Sequence, residues 1–231
     1  MTAVLVVFLL CYLIGSIPSS LWYGKLIRKI DIREHGSGNA GATNTFRILG
    51  WKAGTLVLLF DFGKGLICTL FVTQLAYSIG SGPVTFYQGW DTHAMLLILA
   101  GVGAVAGHMF PIYAGFKGGK GAATACGMLY GIEPISISIT LTIFLITMFT
   151  TRYVSLASII GSFIYPFSQI ILRYGFGYDI DGSIIIFSSI IALGIIIKHK
   201  ENIRRLVKGT ENRVRSFKPS KGRLNENQTS A

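Results

Sequence analysis

Apolar residues occur along this chain in long blocks, and polar residues are largely confined to the segments between them. The blocks cover residues 3–22, 53–77, 94–114, 118–130, 134–150, 154–172 and 183–197. Most approach the roughly 17–25 residues that a helix needs to cross about 30 Å of hydrocarbon. A helix also satisfies its own backbone hydrogen bonds in lipid. The pattern therefore predicts an all-α integral membrane protein.

The fourth block is short and glycine-rich, so positive charge decides whether it crosses. Lys and Arg gather after blocks one, three, five and seven, whereas the segment between blocks two and three has none. If all seven blocks cross, these clusters fall on one side, with Arg173 as the exception. Cytoplasmic loops collect Lys and Arg. We therefore predict seven transmembrane helices, with the N-terminus outside, the C-terminus cytoplasmic and a short glycine-rich fourth span.

Composition agrees with a membrane location. The chain is 51% hydrophobic and only 13% charged, where soluble domains carry about 25% charged residues. A net charge of +11 would suggest nucleic acid in a soluble protein, but here the cations are sorted by position, so no nucleic-acid partner is expected. The first cation is Lys25, and the first block is predicted to be a retained span rather than a signal peptide. No Cys or His spacing suggests a metal site, and no cofactor is expected.

The domain organisation is predicted to be simple. Residues 1–215 form one membrane domain, with no internal repeat, and the polar residues 216–231 form a disordered cytoplasmic tail. A longer outside loop covers about residues 78–92. The sequence leaves the oligomeric state open.

The polar stretch HGSGNAGATN, residues 35–44, is here called the first glycine loop. Successive small residues allow backbone N–H groups to converge on an anion, and Arg47 follows as a cation suited to phosphate. Span two begins soon afterwards, and its N-terminal dipole favours anions. The alternative is a flexible connector. The candidate ligands of this segment are Gly36, Ser37, Gly38, Asn39, Gly41, Thr43, Asn44 and Arg47.

A second cationic turn, GFKGGKG, follows span three at residues 115–121 and is here called the second glycine loop. It carries Lys117 and Lys120, and His108 lies just before it at the end of span three. The alternative for the two lysines is that they only mark the cytoplasmic side of the membrane. The alternative for His108 is a buried histidine whose hydrogen bonds are made within the protein. Two glycine-rich cationic loops on one membrane face favour a phosphate site, with Lys120 and His108 as candidates.

Polar residues also lie in the segment KHKENIRRLVKGTE, residues 198–211. His199, Asn202 and Arg205 are spaced so that one helical face presents them together. A basic helix held on anionic lipid would explain the cations, but not His199 or Asn202. Inside span two, Asp61 and Lys64 are three residues apart, and charges at that depth usually pair. A structural ion pair is favoured there over a role beneath the site.

Four segments of the sequence together resemble the bacterial acyl-phosphate:glycerol-3-phosphate acyltransferases, the PlsY family. They are GSIPS at 15–19, GSGNAGATN with Arg47, GHMFP with FKGGKG, and HKENIRRLVKGTE; in order, they span residues 15–211. The resemblance implies seven transmembrane helices in the bacterial inner membrane, with a cytoplasmic active site. It implies transfer of a fatty acyl group from acyl phosphate to the sn-1 hydroxyl of glycerol 3-phosphate, giving lysophosphatidic acid and phosphate in the first step of phospholipid synthesis.

The resemblance also implies roles for individual residues. The first glycine loop would hold acyl phosphate, with Ser37 as one donor. Arg47, Lys120, His199 and Asn202 match positions that bind glycerol 3-phosphate, to which Ser37 also contributes. The proton of the attacking hydroxyl would pass to a substrate phosphate or to His199, and the phosphate is favoured. Ser37 as a covalent nucleophile is disfavoured, because no His/Asp partner is visible.

A membrane carrier for phosphate or a small organic anion is the rival function. Carriers also hold anions at helix N-termini, but they usually do so near the membrane midplane and show related halves. Here the polar residues cluster at one face. The H-x-x-x-x-D motif of acyl-CoA-dependent enzymes is absent, since Ala40, Ile98, Tyr113 and Arg204 lie five positions after the four histidines.

Overall fold

The computed structural model describes residues 2–78, 89–211 and 213. The predicted tail at residues 216–231 and most of the predicted outside loop at 78–92 lie outside the described residues. In the part described, the regular structure is entirely helical, which confirms the predicted class. The α-helices are α1 Thr2–Gly15, α2 Ser19–Arg28, α3 Ala42–Leu49, α4 Trp51–Ile67, α5 Thr73–Ser78, α6 Thr92–Met109, α7 Ala122–Ile132, α8 Pro134–Thr151, α9 Val154–Phe176, α10 Gly182–Lys198 and α11 Lys200–Val207.

Five helical runs within the described residues are long and apolar enough to cross a membrane: Ala3–Arg28, Trp51–Ser78, Thr92–Ala114, Pro134–Thr151 and Val154–Phe176. A sixth is counted if Gly182–Ile197 and Lys200–Val207, which are bent by 56°, form one span. The chain is therefore a multi-pass membrane protein. At 11 residues, α7 is about 16 Å long, so the predicted fourth crossing and the count of seven stay predictions.

Two breaks divide the runs that the sequence predicted as continuous. The first predicted span is split at Ser16–Pro18, because proline has no N–H with which to continue the ladder; α2 then leaves the break at Ser19. The second run contains a π-helix, Cys68–Val72, between α4 and α5. The separate short helix α3 was not expected, and Gly50, with a φ of 88°, separates it from α4.

The described residues form two compact units. Unit one comprises residues 2–78 and 96–132. Its apolar core includes Val7, Cys11, Cys68 and Leu96. In this unit α7 packs directly on α4: a Cβ at Gly127 would overlap the Phe62 carbonyl, and one at Gly65 would overlap that of Thr124. Small residues of this kind allow close helix approach in membranes.

Unit two comprises residues 89–95, 133–211 and 213. Helix α8 begins at Pro134, where the Glu133 carboxylate accepts from the N–H groups of Ile135 and Ser136. Helices α9 and α10 are joined by a buried hydrogen bond of 2.6 Å from the Ser188 hydroxyl to Gln169 Oε1. Helix α11 packs against α9 and α10.

Candidate functional site

The first glycine loop is held from inside by Asn44, which is 1% exposed. Asn44 Oδ1 accepts from the Ser37 N–H at 3.0 Å. Its Nδ2 donates to the carbonyls of Ile32 at 3.1 Å and His35 at 2.9 Å. The side chain predicted to be a ligand is thus occupied in shaping the loop.

Glycine is required in this loop for its conformation. Gly36 has a φ of +64°, and a Cβ there would overlap Asn44 Oδ1. Gly38 follows with a φ of +71°. A side chain at either position would be strained. Ser37 lies between the two glycines and is exposed, so its hydroxyl is accessible at the surface of unit one.

The helix that begins at the first glycine loop is α3, not span two as predicted. It starts at Ala42, with Gly41 as the N-cap. The first N–H groups of a helix have no intrahelical partner and attract anions. Thr43 is exposed in this first turn, and Asn39 just before it is half-buried. Arg47 is exposed further along the same helix.

The second glycine loop is anchored to the end of α6. The N–H of Gly118 donates to the Met109 carbonyl, and that of Gly119 donates to the His108 carbonyl, each at 3.2 Å. The loop ends at Gly121, and α7 begins at Ala122. Lys120 is exposed just before the first turn of α7. A second helix N-terminus therefore follows a second cationic loop.

The two loops meet at Gly119. A Cβ added to Gly119 would lie 2.6 Å from the Ala40 carbonyl oxygen and would overlap His108 Nε2. A second link joins the segments that immediately precede the two loops, since Arg33 Nη1 donates to the Ala114 carbonyl at 3.0 Å. The structure thus brings together the first glycine loop, His108 and the loop that bears Lys120, as the predicted site requires.

Charge on this part of unit one is partly compensated. Arg33 donates to Asp31 from Nε at 3.0 Å and from Nη2 at 2.7 Å. Hydrogen bonding from Arg33 lowers the pKa of Asp31 to about 2, so this pair is fully ionised at neutral pH. Arg47, Lys117 and Lys120 form no ion pair with any residue that the structure describes. These three cations are available to an anion.

Beneath the loops lies a buried charged cluster. The predicted pairing of Asp61 with Lys64 is confirmed, with Nζ 2.9 Å from Oδ1 and side-chain exposures of only 1% for Asp61 and 3% for Lys64. His108 joins them through Nδ1, which is 3.2 Å from Lys64 Nζ. This third member was not predicted to join the pair, because spacing along the sequence does not relate α4 to the end of α6.

In unit two, α11 presents Asn202 and Arg205 on one face, as predicted. Both contact Glu211: Asn202 Nδ2 donates to Oε1 at 2.9 Å, and Arg205 Nε donates to Oε2 at 2.7 Å. The Ser155 hydroxyl of α9 donates to the same carboxylate at 2.9 Å. These bonds, that of Asn202 first, lower the pKa of Glu211. Glu211 was not predicted from the sequence, although an acidic residue within a basic segment is a usable signal.

His199 lies at the junction of α10 and α11, and its Nδ1 is 2.8 Å from the Ile195 carbonyl. A carbonyl only accepts, so Nδ1 carries the proton. In the neutral ring, Nε2 is then the nitrogen with a free lone pair. His199 and Asn202 belong to unit two, and their proposed contact with substrate stays a prediction.

Comparisons with known proteins agree on one family. The family model described as glycerol-3-phosphate acyltransferase matches residues 5–209. The glycerol-3-phosphate acyltransferase of Salinibacter ruber is 45% identical over 97% of this chain and 98% of its own length. That of Chlorobium luteolum is 44% identical over 93% of this chain and 97% of its own.

Two solved structures are also similar. Both are crystal structures of PlsY, an integral membrane glycerol 3-phosphate acyltransferase. Its glycerol 3-phosphate form is 35% identical, with a TM-score of 0.67, and the match covers 93% of this chain and 96% of that one. Its lysophosphatidic acid form is 34% identical, with a TM-score of 0.66, and the match covers 92% and 95%.

Proposed function

The chain belongs to the glycerol-3-phosphate acyltransferase family, and from this premise we propose that it transfers a fatty acyl group from acyl phosphate to the sn-1 hydroxyl of glycerol 3-phosphate. The products are lysophosphatidic acid and inorganic phosphate. The observation that carries the proposal is the meeting of two glycine-rich loops at Gly119 and Ala40; Arg47 follows the first loop, and the second carries Lys117 and Lys120. Each loop leads into a helix N-terminus, and both substrates carry phosphate.

The proposed topology has seven crossings, with the N-terminus outside and the catalytic loops facing the cytoplasm of a bacterial inner membrane. The sorting of Lys and Arg along the sequence supports this orientation. The apolar length of five to six helical runs supports a multi-pass arrangement. In this topology, glycerol 3-phosphate arrives from the cytoplasm, and the positive loops attract it.

Acyl phosphate is proposed to bind at the first glycine loop. The Ser37 hydroxyl and the first N–H groups of α3 are the donors, and Asn44 acts indirectly by fixing the loop. Gly36, Gly38, Gly41, Asn39 and Thr43 contribute through the backbone or side chains of this segment. An apolar groove between α2 and α4 supports the placing of a fatty chain in unit one; it is lined by Ile17, Trp22, Leu26, Leu56 and Phe60 among others.

Glycerol 3-phosphate is proposed to bind through Arg47 and Lys120, whose charges are not compensated by described residues. Hydrogen bonds between such a cation and a phosphate are charge-assisted and are therefore stronger than neutral ones. His199 and Asn202 are proposed as further ligands on the resemblance alone. In the free protein Asn202 is bonded to Glu211, which fixes the orientation of its amide.

The reaction needs no acyl-enzyme, because acyl phosphate is a mixed anhydride with a good leaving group. The sn-1 oxygen attacks the acyl carbon, the bond from that carbon to the phosphate oxygen breaks, and phosphate leaves with the electron pair. The hydroxyl proton passes to a phosphate oxygen, whose second pKa near 6 suits this role. His199 is the rival base, and Nε2 is its accepting atom. Positioning supplies much of the rate.

The test uses purified protein in detergent with palmitoyl phosphate and glycerol 3-phosphate. The proposal expects lysophosphatidic acid and phosphate to form in equal amounts, and expects palmitoyl-CoA to fail as a donor. Transfer from palmitoyl-CoA alone would refute the donor assignment. No transfer from either donor, with uptake of glycerol 3-phosphate into proteoliposomes, would favour the carrier instead.

A further inference from the structure

The buried Lys64 occupies the break between α1 and α2. Its ammonium donates to the carbonyls of Gly15 at 3.1 Å and Ile17 at 2.9 Å. Both carbonyls lie in the GSIPS segment, where α1 ends and Pro18 interrupts the helical ladder. From the same segment, the Ser19 hydroxyl donates to Asp61 Oδ1 at 2.6 Å. The segment thus forms a cage around the ion pair.

Lys64 also fixes the tautomer of His108. The ammonium is a donor only, and it lies 3.2 Å from Nδ1. If Nδ1 carried a proton, its N–H would face the Lys64 ammonium, and two donors would point at each other. Asp61 Oδ1 is the other group near Nδ1, at 3.5 Å, which is longer than an ordinary N–H···O bond. The ammonium has three hydrogens: the Gly15 and Ile17 carbonyls take two, and the third is shared between Asp61 Oδ1 at 2.9 Å and Nδ1. This shared contact favours a neutral ring that accepts at Nδ1 and carries its proton on Nε2.

Nε2 of His108 faces the place where the two glycine loops meet. A Cβ at Gly119 would overlap this atom and would approach the Ala40 carbonyl. The ring edge is thus separated from the candidate phosphate site by a residue without a side chain. A fixed N–H at this position would be a preorganised donor to a substrate oxygen anion that binds beside Gly119.

We propose that Asp61 and Lys64 are positioning residues that hold His108 with its proton on Nε2, so that the ring donates a hydrogen bond to a phosphoryl or carbonyl oxygen of the bound substrates. Lys64 supplies the contact to Nδ1, and Asp61 keeps Lys64 charged and in place. The inference rests on the proposed acyl transfer, and it assigns the buried pair a role in the reaction beyond pairing.

The kinetic test is a double-mutant cycle. Lys64→Met should lower kcat about 100-fold, the lower end of what loss of one oxyanion donor costs. The KM for glycerol 3-phosphate should stay within about 2-fold, since Arg47 and Lys120 are untouched. His108→Gln retains a donor, and adding Lys64→Met to it should cost less than about 2-fold. Equal losses in both backgrounds would overturn the proposal. Lys52→Met, an exposed lysine of the same helix, is the matched control.

A spectroscopic test reads the tautomer directly. NMR of protein with isotope-labelled histidine nitrogens, with His108 assigned by His108→Gln, should show the His108 proton on Nε2 and should show a mixture in Lys64→Met. A proton on Nδ1 in the unsubstituted protein would overturn the proposal.

If Lys64→Met does not fold, the double variant Asp61→Asn with Lys64→Met is used instead. It removes both charges, and buried ion pairs often tolerate such an exchange. The double variant should show the same mixture of His108 tautomers and the same loss of kcat. Either result missing in this folded variant would overturn the proposal. Failure of the unsubstituted protein to transfer acyl groups would refute the proposed function, which the tautomer measurement does not address.

Discussion

Substitution of Gly119 by alanine tests the contact between the two glycine loops. The new Cβ would lie 2.6 Å from the Ala40 carbonyl oxygen, whereas ordinary contact begins at 3.4 Å. The loops must therefore separate by about 0.8 Å, and the His108 ring must also move. A displacement near 1 Å in a catalytic arrangement can cost about 100-fold. We expect kcat/KM to fall by about that factor, which corresponds to roughly 2.7 kcal/mol.

The assay is steady-state release of phosphate from palmitoyl phosphate, with thermal unfolding in detergent measured in parallel. Overpacking should also lower the free energy of unfolding by about 1–3 kcal/mol. Gly63→Ala is the matched control, because a Cβ there meets nothing within 4 Å, and this variant should keep its activity. If Gly119→Ala retained full kcat/KM, the contact between the loops would have no part in catalysis.

Three further predictions concern single side chains. Arg47→Ala and Lys120→Ala should each raise the KM for glycerol 3-phosphate roughly 10- to 100-fold, because a charged hydrogen bond contributes about 1.5–3 kcal/mol. Lys52→Ala, at an exposed lysine of α4, is the control, and unchanged kinetics in both variants would remove Arg47 and Lys120 from the site. His199→Ala should leave the pH dependence of kcat in place if a substrate phosphate is the base, and loss of that pH dependence would identify His199 instead. The Glu211 carboxylate should stabilise the folded protein above the ordinary pKa of 4.5, and this stabilisation should be lost as pH falls through the lowered pKa of Glu211 in the folded protein. Glu211→Gln should abolish it. An unchanged profile of melting temperature against pH would contradict this prediction.

Helix positions were predictable because the membrane imposes a simple rule on apolar length. The predicted block 134–150 corresponds to Pro134–Thr151, and 154–172 corresponds to Val154–Phe176. The breaks were harder. Hydropathy continues across Ser16–Pro18 and through the π-helix at Cys68–Val72, so it cannot report a local change in the hydrogen-bond ladder.

The site was predictable where its chemistry is local in sequence. Small residues and cations at 35–47 and 115–121 indicated two phosphate loops, and the structure brings the loops together at Gly119. Contacts between distant segments were not visible. Lys64 with the Gly15 carbonyl joins residues 49 positions apart, and no periodicity within one helix encodes such a pair. Asn44 was likewise predicted to be a ligand from its residue type, and the sequence did not show that its amide bonds to Ile32, His35 and Ser37.

A structure determined with bound glycerol 3-phosphate would show directly whether the phosphate is held where the two glycine loops meet, as the proposed function requires. We predict density for the phosphate in contact with Ser37, Arg47 and Lys120, with the sn-1 hydroxyl directed towards the first glycine loop. Phosphate bound elsewhere, with these three side chains still in solvent, would contradict the account.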